Sequence, residues 1–380
     1  SGPCAKSNPC FEIGTAIDIS GRNDRIVVGP GTYTETGLSI QPPREGLRLE
    51  STAGRHATTI VSGDGGSVLS IEAARVRVGK RGKGFTFIGA TNFASNAGIN
   101  IQVPEEFAGI RIEGNRIGRP RLSGSTDFDN SVGIRVASGG GKIQIRNNVI
   151  ENNEGNGISC ANCPRALIRG NRIESNGNQG IRAFINSPDL VFQGNLVTSN
   201  ASYGISHDGS SEQMRIRDNV IELNESYGVS ALDGDGGRIE ANIVAGNSEF
   251  GVTIGQQEFT RGDLRIGNNL VMESTGGVGD GIVISLAIDA LVDGNTLVSN
   301  SGDGMYLDGV TLRSLKYNAA IDNGDCGIRG NFGNFDNYKF FAVGNVTDSI
   351  CGAATFNPTG SMATKPAPLK VRKAAKVVGG

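Results

Sequence analysis

RALIRGNRIESNGNQGIRAFIN, Arg165–Asn186, carries a pattern that the chain on either side repeats. With Asn171 as the reference position, equivalents occur at Asn115, Asn148, Asn195, Asn219, Asn242, Asn269, Asn295, Asn318 and Asn345, mostly 23 to 27 residues apart. Five residues after seven of these positions stands a second Asn: Asn153, Asn176, Asn200, Asn224, Asn247, Asn300 and Asn323. Four residues further comes Gly with an apolar residue, as in Gly157-Ile158, Gly180-Ile181, Gly204-Ile205, Gly228-Val229, Gly251-Val252, Gly304-Met305 and Gly327-Ile328. A period in the low to middle twenties means that each unit is one turn of a stacked repeat.

Inside each unit the apolar residues alternate in short pieces. Ile143 and Ile145, or Leu190 and Phe192, precede the reference Asn; Ile150, Ile173 and Val197 follow it; Ile181 and Ala183, or Val252 and Ile254, follow the Gly. Period-two spacing in pieces too short for helices predicts three short strands per unit. A leucine-rich repeat would need a regular Leu skeleton, which is absent from the sequence.

This N-x-I…N…G-I pattern, running from about Arg25 to Cys351, resembles the right-handed parallel β-helix of the pectate-lyase-like superfamily, and more closely its NosD-like and alginate-epimerase-like repeat members. The resemblance implies an all-β, right-handed parallel β-helix solenoid of about 13 coils, a rod on the order of 60 Å at about 4.8 Å per coil. Stacked coils place like residues in columns, so each Asn is expected to bond the Asn above and below it. The Gly before the third strand is expected to supply a corner with positive φ. The fold hosts lyases, hydrolases, epimerases, adhesins and inert fibres, so it does not fix the chemistry.

Three segments are expected: an N-terminal cap over residues 1–24, the β-helix over 25–351 and a basic C-terminal arm over 352–380. Phe11, Ile13, Ala16 and Ile17 predict a short capping helix, which an exposed solenoid end requires. Strands are expected near Leu47, Ile60, Val68–Ile71, Val76–Val78 and Phe85–Ile88, and interruptions at Arg119–Asn130 and Thr275–Asp280 should project as loops. The arm carries Lys365, Lys370, Arg372, Lys373 and Lys376 without an acid, and docking on an acidic surface, its own or that of another copy, is the expectation.

The 380 residues include 58 Gly and are 37% hydrophobic, which suits a thin, corner-rich solenoid. A net charge of −2 argues against nucleic acid as a partner. No apolar run is long enough to span a bilayer and none reads as a signal peptide, which is consistent with a processed form. The cysteines fall in pairs, Cys4 with Cys10, Cys160 with Cys163, and Cys326 with Cys351, and predict three disulfides and secretion or cell-surface display.

Candidate chemistry is sparse. Tyr203-Gly204-Ile205-Ser206-His207-Asp208 looks similar to the Tyr-Gly…Asp-Pro-His-Asp signature of alginate epimerases, but it lacks the Asp-Pro and is one residue shorter. The register puts His207 in the inward column of Cys160, Ala183, Ala231 and Ile254, where a lone His is a core residue. No residue is therefore assigned a catalytic role. Asp280, Asp303 and Asp325 precede the Gly corner; stacked, they offer oxygen ligands for Ca²⁺ or, more simply, an acidic edge paired with Arg or the basic arm. No cofactor is required on this reading.

Arg146, Arg169, Arg215, Arg217, Arg238 and Arg265 share one strand column with Glu113 and Glu240, a mixed and ion-paired face. With no Trp, six Tyr and 15 Phe, the chain offers few aromatic platforms for sugars. Leu196, Val220, Ile243 and Leu270 directly follow the reference Asn on four coils. They form either an outward apolar stripe for association or an inward-tilting bend. The first expectation is a secreted structural or surface protein that self-associates by docking of the arm, with a filament as one form of the assembly. The alternatives are a lyase or epimerase acting on an acidic polysaccharide and a non-catalytic glycan-binding module.

Overall fold

In the computed structural model of the chain, the described residues are Cys4, 8–92, 94–103, 109–119, 129–139, 141–184, 187–208, 213–232, 236–255, 260–261, 264–330 and 338–352. The arm cations Lys365, Lys370, Arg372, Lys373 and Lys376, and most of the Arg119–Asn130 interruption, lie outside them. The chain divides into two compact units, Ser1–Ser187 and Pro188–Gly380. Each is a right-handed parallel β-solenoid, and together they hold about 12 turns, against about 13 expected.

A turn contributes one strand to each of three faces. The first-face strand ends just before the reference Asn, as in Gln144–Arg146; the second follows it, as in Val149–Glu151; the third follows the Gly, as in Ile158–Ala161. In the first unit these pair in parallel with Leu167–Arg169, Arg172–Glu174 and Ile181–Phe184 respectively. The expected early strands are present as Arg48–Ser51, Thr58–Ser62, Leu69–Ile71, Arg77–Val78 and Thr86–Ile88. Alternation decides what is inside: Ile145, Ile150, Ile158 and Cys160 are fully buried, as are Ile216, Ile221 and Val229 in the second unit.

The first Asn column runs without a break in each unit, while the second is interrupted by Ser274 between Asn247 and Asn300. In the first column of the second unit, Asn195 donates its Nδ2–H to Asn219 at 3.0 Å, Asn219 to Asn242 at 3.0 Å, Asn242 to Asn269 at 3.0 Å, Asn269 to Asn295 at 2.9 Å and Asn295 to Asn318 at 3.0 Å. Each Oδ1 also accepts a backbone N–H from the preceding coil, so the buried amides are satisfied in a chain. The second column includes Asn130, which donates to Asn153 at 2.9 Å and had been hidden by the Arg119–Asn130 interruption. Asn345 belongs to this second column, accepting from Asn323 at 2.8 Å. Its expected place beside Asn318 is taken by Phe340, because the last coil is shortened.

The Gly corner works differently from expectation. Gly157, Gly204, Gly228 and Gly251 do not have positive φ; a Cβ on Gly157 would lie 2.7 Å from Gly180 O, 2.7 Å from Ile173 Cγ2 and 2.9 Å from Asn176 Nδ2. Here Gly is required by close approach of the next coil. The left-handed residues sit instead just before the reference Asn and before the second Asn, as Asn147, Asn152, Asp218 and Leu223.

The capping helix is Ile13–Asp18, with Ile13 and Ile17 buried. Glu35 accepts the free Ile13 N–H at 2.6 Å and Gly14 N–H at 3.2 Å, while Arg44 Nε donates to Ile17 O at 2.6 Å. Phe11 precedes the helix and is 93% exposed, outside the apolar face that its spacing predicted.

Candidate functional site

The second face of the first unit gathers the titratable groups. Arg116, Val149 and Arg172 occupy one outward column on successive strands, and Glu151 and Glu174 the next. Glu151 is only 4% exposed. Arg116 Nε lies 3.1 Å from Glu151 Oε1 but is not aligned for a hydrogen bond, so both atoms are buried without a hydrogen-bond partner. Arg172 grips Glu174 with two contacts of 2.7 Å. Burial pushes the Glu151 carboxyl up to about 7, opposed by the Arg116 charge and reinforced by a hydrogen bond to Glu174. Glu151 thus keeps its proton up to about neutrality.

The turn between Ser51 and Thr58 brings Arg55 and His56 to this group. Arg55 O accepts the Thr86 hydroxyl at 2.6 Å, which anchors the turn on the same face. Partial burial, then the charges of Arg116 and Arg55, hold the His56 imidazole below its ordinary value. Burial likewise lowers Arg55, which feels Arg116, Glu151 and Arg172. The result is a neutral imidazole, a carboxyl that stays protonated near neutrality, and three guanidinium groups. Arg is suited to hold a carboxylate in a fixed orientation. An acid, a base and anion-binding groups together permit proton transfer on an anionic substrate. Sequence reading missed this set because His56 and Arg55 lie in irregular chain. The one available signal was Glu151 and Glu174, three residues past consecutive reference Asn residues.

The other candidates fall elsewhere. His207 is fully buried in register with Ala231, as its column predicted. Asp280 Oδ1 accepts Asp303 N–H at 2.6 Å, and Asp303 Oδ1 accepts Cys326 N–H at 2.8 Å. This is the same service that Asn156 Oδ1 gives Gln179 N–H at 3.1 Å. Asp325 is one residue out of that column, its place held by Cys326. Arg329 joins the edge, with Nε 2.6 Å from Asp303 Oδ2 and a second contact from Nη2 to Asp325. Asp303, Asp325 and Cys326 bring ligand atoms within 4.8 Å of one another. The Cys326 sulfur is already in a disulfide, and Arg329 supplies positive charge where a Ca²⁺ ion would. Burial and the Asp303 charge raise Asp280 to about 7.

All three expected disulfides are formed, Cys4–Cys10, Cys160–Cys163 and Cys326–Cys351. Leu196, Val220, Ile243 and Leu270 stack in register and face outward, half-buried, while Val197, Ile221, Val244 and Val271 fill the core. The mixed charged face is paired as expected, Arg146 with Glu113 at 3.0 Å and Arg265 with Glu240 at 2.7 Å. An aromatic ladder not foreseen stacks Tyr203 on Tyr227 at 4.9 Å and Tyr227 against Phe250 at 5.1 Å. Its rings spend their faces on one another, so it fills a corner and offers little platform for a sugar.

A parallel β-solenoid with one acid–base and arginine cluster on an outer face is the class these features define. Residues 60–221 and 203–362 match the family described as "Right handed beta helix region", and the chain belongs to it. Among solved structures it is similar to the A-module of the mannuronan C-5 epimerase AlgE6 of Azotobacter vinelandii. The identity is 18% and the TM-score 0.67, over 88% of this chain and 94% of that one. It is also similar to the catalytic unit of a thermostable GH87 alpha-1,3-glucanase from Streptomyces thermodiastaticus strain HF3-3. There the identity is 13% and the TM-score 0.52, over 87% of this chain and 64% of that one. At these identities the likeness is one of fold. No curated protein is matched by this chain.

Proposed function

We propose that this protein is an acid–base enzyme acting on a uronate-bearing polysaccharide, with the reacting sugar at the Glu151–Glu174 pair. The observation that carries this reading is Glu151 itself: a buried carboxyl, raised to about 7, whose Oε1 has no hydrogen-bond donor although it lies among arginines. Structural neighbours named as an epimerase and a glucanase support a polysaccharide as substrate class. Three disulfides favour an oxidising compartment outside the cytosol, and among the described residues no helix is long and apolar enough to cross a membrane.

In the proposed reaction Arg116 and Arg172 hold the sugar carboxylate and stabilise the charge that develops on it. Neutral His56 accepts the proton α to that carboxylate, and the C–H electron pair moves into an enediolate. If the bond to the adjacent glycosidic oxygen then breaks, the proton held by Glu151 goes to that oxygen and an unsaturated sugar results. If it holds, the same proton returns to the opposite face of the carbon and the sugar is epimerised. The test incubates wild type, Glu151→Gln and Arg116→Ala with polygalacturonate and with alginate. Unsaturated product is read by ultraviolet absorbance and epimerisation by proton NMR. Turnover by wild type, lost at least 100-fold in both variants, is expected; no turnover by wild type, or full turnover by Glu151→Gln, overturns the assignment.

A second reading, self-association, is favoured by the outward stripe. Leu196, Val220, Ile243 and Leu270 are flanked on the same face by Ala245, Met272 and Val298, and aliphatic columns of this kind mark contact surfaces. Sedimentation of wild type against Val220→Glu/Ile243→Glu decides it: the double variant should be a monomer where wild type is an assembly. A monomeric wild type removes this reading.

A further inference from the structure

Around the corner from the Glu151 cluster, the first face of the first unit carries a column of arginines. Arg25, Arg48, Arg77 and Arg111 are Cα partners on four successive strands, all at outward positions. Like charges one coil apart, about 4.8 Å between strands, repel. The second unit repeats the arrangement in Arg215, Arg238 and Arg265, but there Glu240 of the neighbouring outward column pairs with Arg265 at 2.7 Å.

The carboxylates of the neighbouring outward column are already engaged. Glu50 binds Arg25 at 2.8 Å and Lys80 at 3.0 Å, and Glu113 binds Arg146 at 3.0 Å. Among the described residues Arg48, Arg77 and Arg111 form no ion pair. Partial burial, and then the Arg146 and Arg77 charges, depress Arg111, as expected of a cation among cations.

We propose that Arg48, Arg77 and Arg111 form a binding track for the carboxylates of an extended acidic polysaccharide lying across the coils, one sugar per coil. The coil spacing of about 4.8 Å is close to the rise of one ring in an extended 1,4-linked chain. Each guanidinium can therefore meet the carboxylate of a successive uronate residue through paired N–H donors. A polyanion lying along the ladder would neutralise these charges together. A nucleic acid is the less suited polyanion, because the chain as a whole has a net charge of −2 and an isoelectric point of about 5.9. This track deepens the acidic-polysaccharide reading and rests on it for the ligand class, but not on the catalytic role of Glu151.

The experiment measures binding, not turnover. Full-length wild type and Arg48→Gln/Arg77→Gln/Arg111→Gln are titrated with polygalacturonate, a neutral 1,4-linked glucan and a single-stranded oligonucleotide at low and high salt. Wild type should bind the uronan, with affinity falling as salt rises. The triple variant should bind at least tenfold more weakly, while its melting temperature is unchanged or raised, because like charges have been removed. Uronan binding by the triple variant equal to wild type, no uronan binding by wild type, or preference for the oligonucleotide each overturns the track. Binding without turnover would sink the catalytic assignment and leave the track standing.

Discussion

Glu151 and Glu174 are direct Cα partners on neighbouring coils, and each is held by an arginine of the adjoining column, Arg116 at 3.1 Å and Arg172 at 2.7 Å. In a solenoid, identical positions one coil apart cannot escape each other. Two carboxyls there must either keep a proton or be neutralised: burial holds the proton on Glu151, and Arg172 pairs with Glu174.

Stability should therefore fall as pH rises through the weakly acidic range. The Glu151 carboxyl moves from an ordinary 4.5 to about 7 and that of Asp280 from 3.8 to about 7 on folding. Between those limits the folded state keeps protons that the unfolded chain has released, so stability declines from about pH 4 to about pH 7 and then levels. Thermal melts across this range should slope downward for wild type and flatten in Glu151→Gln and Asp280→Asn. Parallel slopes in all three proteins would remove both assignments.

Turnover should occupy a narrow window. It requires the Glu151 proton, lost above about pH 7, and a neutral His56, whose pKa is held below its ordinary 6.5. The rate profile should be bell-shaped, and His56→Gln should abolish turnover without changing the alkaline limb of substrate binding. An activity rising steadily to pH 9 would contradict the scheme.

Asn219→Ala should cost about 3 kcal/mol, because it removes a buried amide that serves Asn195, Asn242 and Phe192 O at once and leaves their groups unsatisfied. The urea midpoint measures it. A loss under about 1 kcal/mol would mean that the ladder is dispensable there.

Gly157→Ala should destabilise by about 1–3 kcal/mol through overpacking, since the new methyl meets Gly180 O, Ile173 and Asn176. The same substitution at Gly277, where a Cβ meets nothing within 4 Å, should be nearly neutral. Equal effects at the two sites would show that backbone freedom, not coil contact, selects Gly at the corner.

Arg329→Ala should lower stability by about 1–2 kcal/mol at neutral pH, a value reduced by the exposure of the arginine. It strips the counter-charge from Asp303, which is buried beside Asp280. The deficit should shrink as pH falls and the acidic edge protonates. A deficit that grows toward acid pH would place the effect elsewhere.

The spacing of Asn, Gly and aliphatic residues determined the class of fold, the three strands per turn, the inward column of His207 and the pairing of the cysteines. These follow from periodicity, and a stacked repeat turns sequence register directly into inside and outside. Tertiary structure alone decided that Asn345 serves the second column, that the corner Gly is chosen for contact and not for φ, and that Arg329 neutralises the acidic edge. It also decided that Arg55 meets Arg116 and Glu151, and that His56 meets Arg116, although at least 60 residues of chain separate the members of each pair. Such meetings depend on how far each irregular turn reaches over its neighbours, and local sequence sets the direction of a side chain on a strand but not the course of a turn above it.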